Sequence, residues 1–246
     1  MTFCLGIRVE EGLVGVADTR ILSGNEYLTA KKAVTYSGPG FSFFIMTSGL
    51  RSIRDKVLMH FDEAFARDPN LRSHLFKIVN MFAEQVRRVA REDGEALHES
   101  KLKFNMYALV GGQTTGDRTH RLFLVYPEGN WVEVERETPY QIIGASGYGK
   151  PILERSLTAE DSILFAFKVA ILAFDATRLC AADVDLPIDV LLYRKGSLAM
   201  VEHRFQRDDL REISEWWQER LRASVRDLPS DWIDRAFLKL TQDVEV

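Results

Sequence analysis

Several things are scarce in this chain of 246 residues: it has two cysteines, seven prolines and no apolar run approaching a membrane-crossing length. Cys4 and Cys180 are too few for a disulfide framework and lack metal-ligand spacing, so both read as buried thiols. The five histidines, His60, His74, His98, His120 and His203, are scattered without ligand spacing, and neither metal nor cofactor is expected. Charge is nearly balanced, with 36 acids against 32 bases and a net charge of −4, which gives no electrostatic reason to expect nucleic acid as a partner. No cleavable signal segment is read before Thr2, because the run from Phe3 to Ile7 is interrupted by Arg8; a soluble, cytoplasmic protein with no membrane partner is expected. Linkers, low-complexity tracts and internal repeats are absent too. What is there is a 46% hydrophobic content, enough for one sizeable core. The reading is a single domain over 1–246, with C-terminal helices from about 208–241.

The N-terminal stretch carries the chemistry. Thr2 is a small residue behind the initiator Met, the type whose Met is normally removed, which would give one residue both a hydroxyl and a free α-amine. A threonine hydroxyl is a weak nucleophile without a base beside it, and an α-amine, with a reference pKa of about 8, can be that base. Thr2 to Val9 alternates as a strand, Glu10-Glu11-Gly12 is a turn, and Leu13 to Arg20 reads as the returning strand of a hairpin. Asp18 and Arg20 lie two apart, hence on one strand face. A polar loop, Ser23-Gly24-Asn25-Glu26, leads to Lys32, which opens another strand-like run. The plain alternative for Asp18 and Lys32 is an ordinary ion pair on a sheet.

Further on, Ala33 to Tyr36 and Phe41 to Thr47 read as strands, and Ser48-Gly49 ends the second at a helix start. Helical periodicity runs from Leu50 to Ala66, with Ile53, Val57, Phe61 and Phe65 on one face, and from Leu71 to His98, with Leu75, Ile78, Val79, Phe82 and Val86 on another. Four successive strands, Lys103 to Gln113, His120 to Tyr126, Trp131 to Glu135 and Tyr140 to Ile143, have short connections and so predict antiparallel pairing. Gly144 to Lys150 has the G-x-x-x-x-G-K spacing of a phosphate-binding loop. Pro151 stands where that motif needs a hydroxyl, and the antiparallel surroundings deny it a β-α-β setting. Thr158 is read as the cap of a helix running through Ile163, Phe167, Ile171 and Phe174. Strands Ile188 to Tyr193 and Leu198 to Arg204 follow, then helical stretches Asp208 to Arg226 and Ser230 to Leu240, rich in tryptophan.

Thr2, Gly6-Ile7, the segment Gly12 to Arg20 and Lys31-Lys32 together resemble the opening of a proteasome β-type subunit, an N-terminal-nucleophile hydrolase. The run Ile143 to Glu154 and the strand Leu186-Pro187-Ile188-Asp189-Val190 are similar, more specifically, to Anbu, the bacterial ancestral-β-subunit branch. The resemblance covers nearly the whole chain. It implies an α+β fold, a four-layer αββα sandwich of two antiparallel sheets, and a homo-oligomer in the form of a ring or spiral.

The resemblance also implies roles. Thr2 Oγ would attack an amide carbonyl, the Thr2 amine or a network including Lys32 would take its proton, and Asp18 would hold Lys32 in place. Gly49 N–H would bind the oxyanion. Ser146 would orient the amine, and Asp175 would be the family's second aspartate, with Asp183 a competing alignment. Where the wider pattern has a serine three residues after that aspartate, this chain has Arg178; Thr177 and Cys180 are alternatives for that place. Arg20 would shape the neighbouring loop. The substrate would be a peptide or small amide, its side chains read by Ile21 to Ala30 and Gly49 to Arg54. A second reading, a noncatalytic scaffold or ligand-binding subunit of the same fold, stays open.

Overall fold

A computed structural model describes residues 2–23, 26–230, 232–233 and 237. By compactness the chain divides into residues 1–207 and 208–246. No described helix is long and apolar enough to cross a membrane.

The first unit opens with the expected hairpin, β1 (Phe3–Val9) and β2 (Gly12–Asp18), almost wholly buried. The polar loop expected at residues 23–26 joins two short strands that form a second hairpin, β3 (Arg20–Ser23) with β4 (Glu26–Thr29), paired Arg20 to Thr29 and Ser23 to Glu26; residues 24–25 lie outside the described residues. Strands of four residues with adjacent apolar pairs leave no alternation to read. Lys32 then precedes β5 (Ala33–Gly38), and β6 (Phe41–Gly49) follows.

Helix α1 (Arg51–Arg67) buries Ile53, Val57, Phe61 and Phe65, the stripe that periodicity picked out. A 3₁₀ turn over Pro69–Ser73 delays α2 to Leu75–Glu99. Its start is fixed from outside the local sequence, because the Asp117 carboxylate accepts the Leu75 N–H at 3.0 Å. Strands β7 (Met106–Thr114), β8 (Arg121–Val125), β9 (Trp131–Glu133) and β10 (Tyr140–Gly144) come next.

Helix α3 (Lys150–Ser156) precedes α4 (Ile163–Cys180). The expected cap at Thr158 is corrected to Ser162, whose hydroxyl accepts from Phe165 N–H at 3.2 Å. Thr158 and Asp161 close a separate turn upstream, Thr158 N–H donating to the Asp161 carboxylate at 2.7 Å. Cys180, read as buried, is exposed at the end of α4, whereas Cys4 is buried. Strands β11 (Ile188–Arg194) and β12 (Met200–Phe205) complete the unit.

Two five-stranded antiparallel sheets result, β10-β1-β2-β11-β12 and β5-β6-β7-β8-β9. Phe44, Met46, Leu109 and Leu122 of one meet Cys4, Leu13, Leu191 and Tyr193 of the other in a dry layer. On the outer side of the second sheet Phe43, Ile45 and Val110 pack with the buried faces of α1 and α2. There Phe43 and Phe61 rings meet edge-on with centroids 6.4 Å apart, a favoured quadrupole arrangement that pins α1 over β6. Phe174 of α4 packs against Phe3 from the opposite side, centroids 6.0 Å apart. Helix, sheet, sheet, helix: the architecture is the expected αββα sandwich.

In the second unit the helical stretch continues from Arg207 to Arg226 as α5, with the Trp216 and Trp217 rings 6.4 Å apart. The helix expected from Ser230 to Leu240 falls largely outside the described residues.

Candidate active site

The pairing of β1 between β10 and β2 decides where Thr2 lies. Phe3 stands opposite Gly144 on one side, and Cys4 stands opposite Ala17 on the other. Thr2 is therefore held from both sides: its carbonyl accepts from Ala145 N–H at 2.7 Å, and the next amide, Phe3 N–H, donates to Asp18 Oδ1 at 2.8 Å. Gly144 makes the first contact reachable. Its φ of +92° belongs to the left-handed region, and a Cβ there would overlap the Thr2 carbonyl. Gly144→Ala is expected to displace Thr2 and to lower the melting temperature, checked by thermal unfolding; an unchanged transition would contradict this seating.

Asp18 is fully buried and is the hub. Lys32 Nζ donates to its two oxygens at 2.7 and 2.8 Å, and Arg20 N–H donates to Oδ2 at 3.2 Å. Lys32 Nζ also donates to the Arg20 carbonyl at 2.6 Å. Burial pushes the Asp18 carboxyl above its ordinary range, opposed by the Lys32 ammonium and by the Phe3 and Arg20 N–H groups. Cys4, next in the strand, is no competing nucleophile: burial above all, with the Asp18 charge, pushes its thiol far up, and it stays protonated near the Thr47 carbonyl.

A cavity of about 550 Å³ opens over this hub. Thr2, Arg20, Lys32 and Gly49 line it together, with Gly144 behind Thr2. Gly49 sits at the junction of β6 and α1 with φ +129°, and a side chain there would overlap the Asn105 carbonyl. Arg20 reaches away, Nη1 donating to Asp185 at 2.9 Å.

The two remaining predicted residues lie differently. Ser146 is exposed on the bend directly after Ala145, its carbonyl accepting from Lys150 N–H at 3.3 Å. Asp175, buried in α4, accepts from Arg178 Nε at 2.8 Å. Arg178, one turn on from Asp175, is thus a direct partner of the acid. Gly144 to Lys150, the run with phosphate-loop spacing, instead closes the strand that seats Thr2.

Periodicity missed Thr47, Asn105 and Tyr107, which also line the cavity. Thr47 ends an apolar strand pattern and carries no local signal of a site. Asn105 and Tyr107 come from the start of β7, brought near by the pairing of Ser48 with Tyr107.

No protein-family model matches the chain, and no curated protein matches it. Solved structures do. The chain is 28% identical to an Anbu (Gly-1) mutant from Hyphomicrobium sp. strain MC1, with a TM-score of 0.85 over 93% of this chain and 98% of that one. Anbu (ancestral β-subunit) from Yersinia bercovieri is 27% identical, with a TM-score of 0.84 over 92% of this chain and 97% of that one. A helical assembly of the Anbu complex from Pseudomonas aeruginosa is 27% identical, with a TM-score of 0.84 over 93% and 97%. On its fold and on the near-complete overlap of the chains, the protein is similar to Anbu, the ancestral β-subunit, and shares the αββα sandwich of those structures.

Proposed function

We propose that the chain is an N-terminal threonine hydrolase that cleaves peptide or amide bonds through an acyl-enzyme on Thr2, after loss of Met1, within a homo-oligomer. The observation that carries this reading is the shared carboxylate: Asp18 Oδ1 binds both the Lys32 ammonium and the amide directly after Thr2. A buried cation is thereby held beside the residue that supplies the hydroxyl, with a cavity over both.

Thr2 Oγ attacks the substrate carbonyl while its proton passes to the Thr2 α-amine. The Lys32 charge stabilises the developing alkoxide and lowers the basicity demanded of the amine. Gly49 N–H donates to the oxyanion, a backbone group fixed before the charge appears. Collapse of the tetrahedral intermediate breaks the C–N bond, and the departing amine takes the proton from the Thr2 ammonium. A water, deprotonated by the same amine, then hydrolyses the ester and regenerates Thr2. Ser146, on the bend after β10, would orient the amine, with Asp175 of α4 the acid behind it, and Arg20 buttresses Lys32 through its carbonyl. Assembly into a ring or spiral is supported by the helical assembly of the similar Pseudomonas aeruginosa protein.

The pairing of Asp175 with Arg178, in place of a serine network, favours the second reading, a noncatalytic subunit of the same fold. N-terminal sequencing and intact mass after incubation with a peptide epoxyketone, which needs both a hydroxyl and a vicinal amine, separate the two. The hydrolase reading expects a chain starting at Thr2 with one adduct. Retained Met1 overturns it, and a processed chain without adduct leaves the noncatalytic subunit.

A further inference from the structure

The cavity wall nearest α1 is built against the usual charge preference of helices. The positive end of a helix dipole favours acids in the first turn. Helix α1 opens Arg51-Ser52-Ile53-Arg54 instead, with no acid in that turn and no side-chain cap on Leu50. Both guanidinium-bearing residues line the cavity, together with Arg20 and Lys32, and no acid among the described residues lines it. The compensating carboxylates stand behind the wall. Lys32 is matched by Asp18, but Asp185 is shared by Arg20 and Arg207, and Asp55 is shared by Arg51 and Arg54. Arg54 is bound most closely, with Nε at 2.8 Å and Nη2 at 2.6 Å from Asp55 Oδ1 and Nη1 at 3.1 Å from the Lys31 carbonyl. Arg51 meets Asp55 at 3.3 Å. Among the described residues that line the cavity, four are cations and none is an acid, at a site where the helix end adds positive character.

A second observation comes from the neighbouring strand. Thr47 falls on the same face of β6 as Phe43 and Ile45, the face that packs under α1. It is 4% exposed and lines the cavity. Its backbone is satisfied, N–H donating to the Lys32 carbonyl at 3.0 Å and the carbonyl lying near Cys4 Sγ. Its hydroxyl, by contrast, is buried without a hydrogen-bond partner among the described residues. Buried hydroxyls are normally paired, because leaving one unpaired forfeits its hydration. Here an unused donor lies beside an excess of positive charge.

We infer that this wall is a subsite for an anionic side chain. The residue attached to the attacked carbonyl carries a carboxylate of aspartate or glutamate type. Arg54 and Arg51 hold it by charge-assisted hydrogen bonds, and the Thr47 hydroxyl donates a further one. The location rests on Gly49, which lies in the cavity wall between Thr47 and the first turn of α1, so a carbonyl held at Gly49 N–H would bring its adjoining side chain to that wall. This inference rests on the Thr2 hydrolase reading.

Three peptide epoxyketones identical except for Glu, Gln or Leu next to the reactive group test it, with second-order labelling rates read by intact mass on the assembled protein. The Glu probe is expected to react at least about tenfold faster than the Gln probe, with the advantage shrinking in high salt. Arg54→Gln brings the Glu-to-Gln ratio toward one, and Arg51→Gln, on the exposed side of the turn, is the companion variant if Arg54→Gln does not fold. Thr47→Val lowers the ratio while raising the melting temperature, because it removes an unpaired buried hydroxyl; Thr47→Ser restores the ratio. A purely structural Thr47 would leave the ratio unmoved. Labelling by Gln or Leu probes as fast as by Glu overturns the anionic subsite and spares the Thr2 reading. No labelling by any probe, on a chain starting at Thr2, overturns both.

Discussion

Thr2→Ala is expected to abolish hydrolysis and epoxyketone labelling, a fall of about four to six orders of magnitude in turnover, as when the nucleophile of an acyl-transfer enzyme is removed. The same substitution is expected to leave the fold and the assembly intact. The contacts that seat this residue are backbone contacts, Thr2 carbonyl to Ala145 N–H at 2.7 Å and Phe3 N–H to Asp18 at 2.8 Å, and neither uses the side chain. The stability change should stay within about 1 kcal/mol, since a small, buried side chain is shortened by a hydroxyl and a methyl without opening a large cavity. Thr2→Ser keeps the hydroxyl and should recover much of the rate. Hydrolysis assays, thermal unfolding and sizing of the assembly together check this. Undiminished turnover by Thr2→Ala would move the chemistry elsewhere in the molecule.

Lys32→Met should be the more damaging substitution for the fold. It leaves the fully buried Asp18 without its ammonium and with only the Phe3 and Arg20 N–H groups as described partners. Breaking a buried ion pair by removing one partner costs about 3–5 kcal/mol, which for a chain of this size lowers the melting temperature by roughly 10 °C. The pH dependence has a definite sign. Burial lifts the Asp18 carboxyl above its ordinary range on folding, and the Lys32 ammonium is the largest influence pulling it back. A carboxyl lifted on folding contributes stability below the unfolded aspartate range and loses that contribution as pH rises through its folded value. Without the ammonium the lift is larger, so Lys32→Met should lose stability with rising pH more steeply than the parent protein. Asp18→Asn with Lys32→Met removes both charges and should flatten that dependence and regain most of the stability. Labelling of Thr2 should stay lost in both variants, because the cation is gone. Denaturation across a pH series checks the sign, and a double variant as unstable as the single one would refute the electrostatic account.

The order of helices and strands was legible wherever one periodicity ran long enough. Ile53, Val57, Phe61 and Phe65 recur at helical spacing, and the alternating hairpin of β1 and β2 follows from its own residues. Legibility failed where a distant group made the decision. The start of α2 depends on Asp117, and the four-residue strands β3 and β4 are too short for an alternating pattern. Thr158 has the residue type of a helix cap, but Asp161 captures its N–H locally and Ser162 caps α4 instead.

The residues alone carried the order of helices and strands, with the αββα layering implied by the family resemblance, and a short roster of reactive residue types near the N-terminus, Thr2, Asp18 and Lys32 foremost. These are local properties: periodicity, turn chemistry and the chemistry each side chain carries. Only the tertiary structure decided that one Asp18 oxygen joins Lys32 to the amide after Thr2, and that Asp175 meets Arg178. It alone exposed the unpaired Thr47 hydroxyl beside Arg51 and Arg54. Whether a polar group is satisfied depends on everything packed around it, and that depends on which strands and helices meet in space.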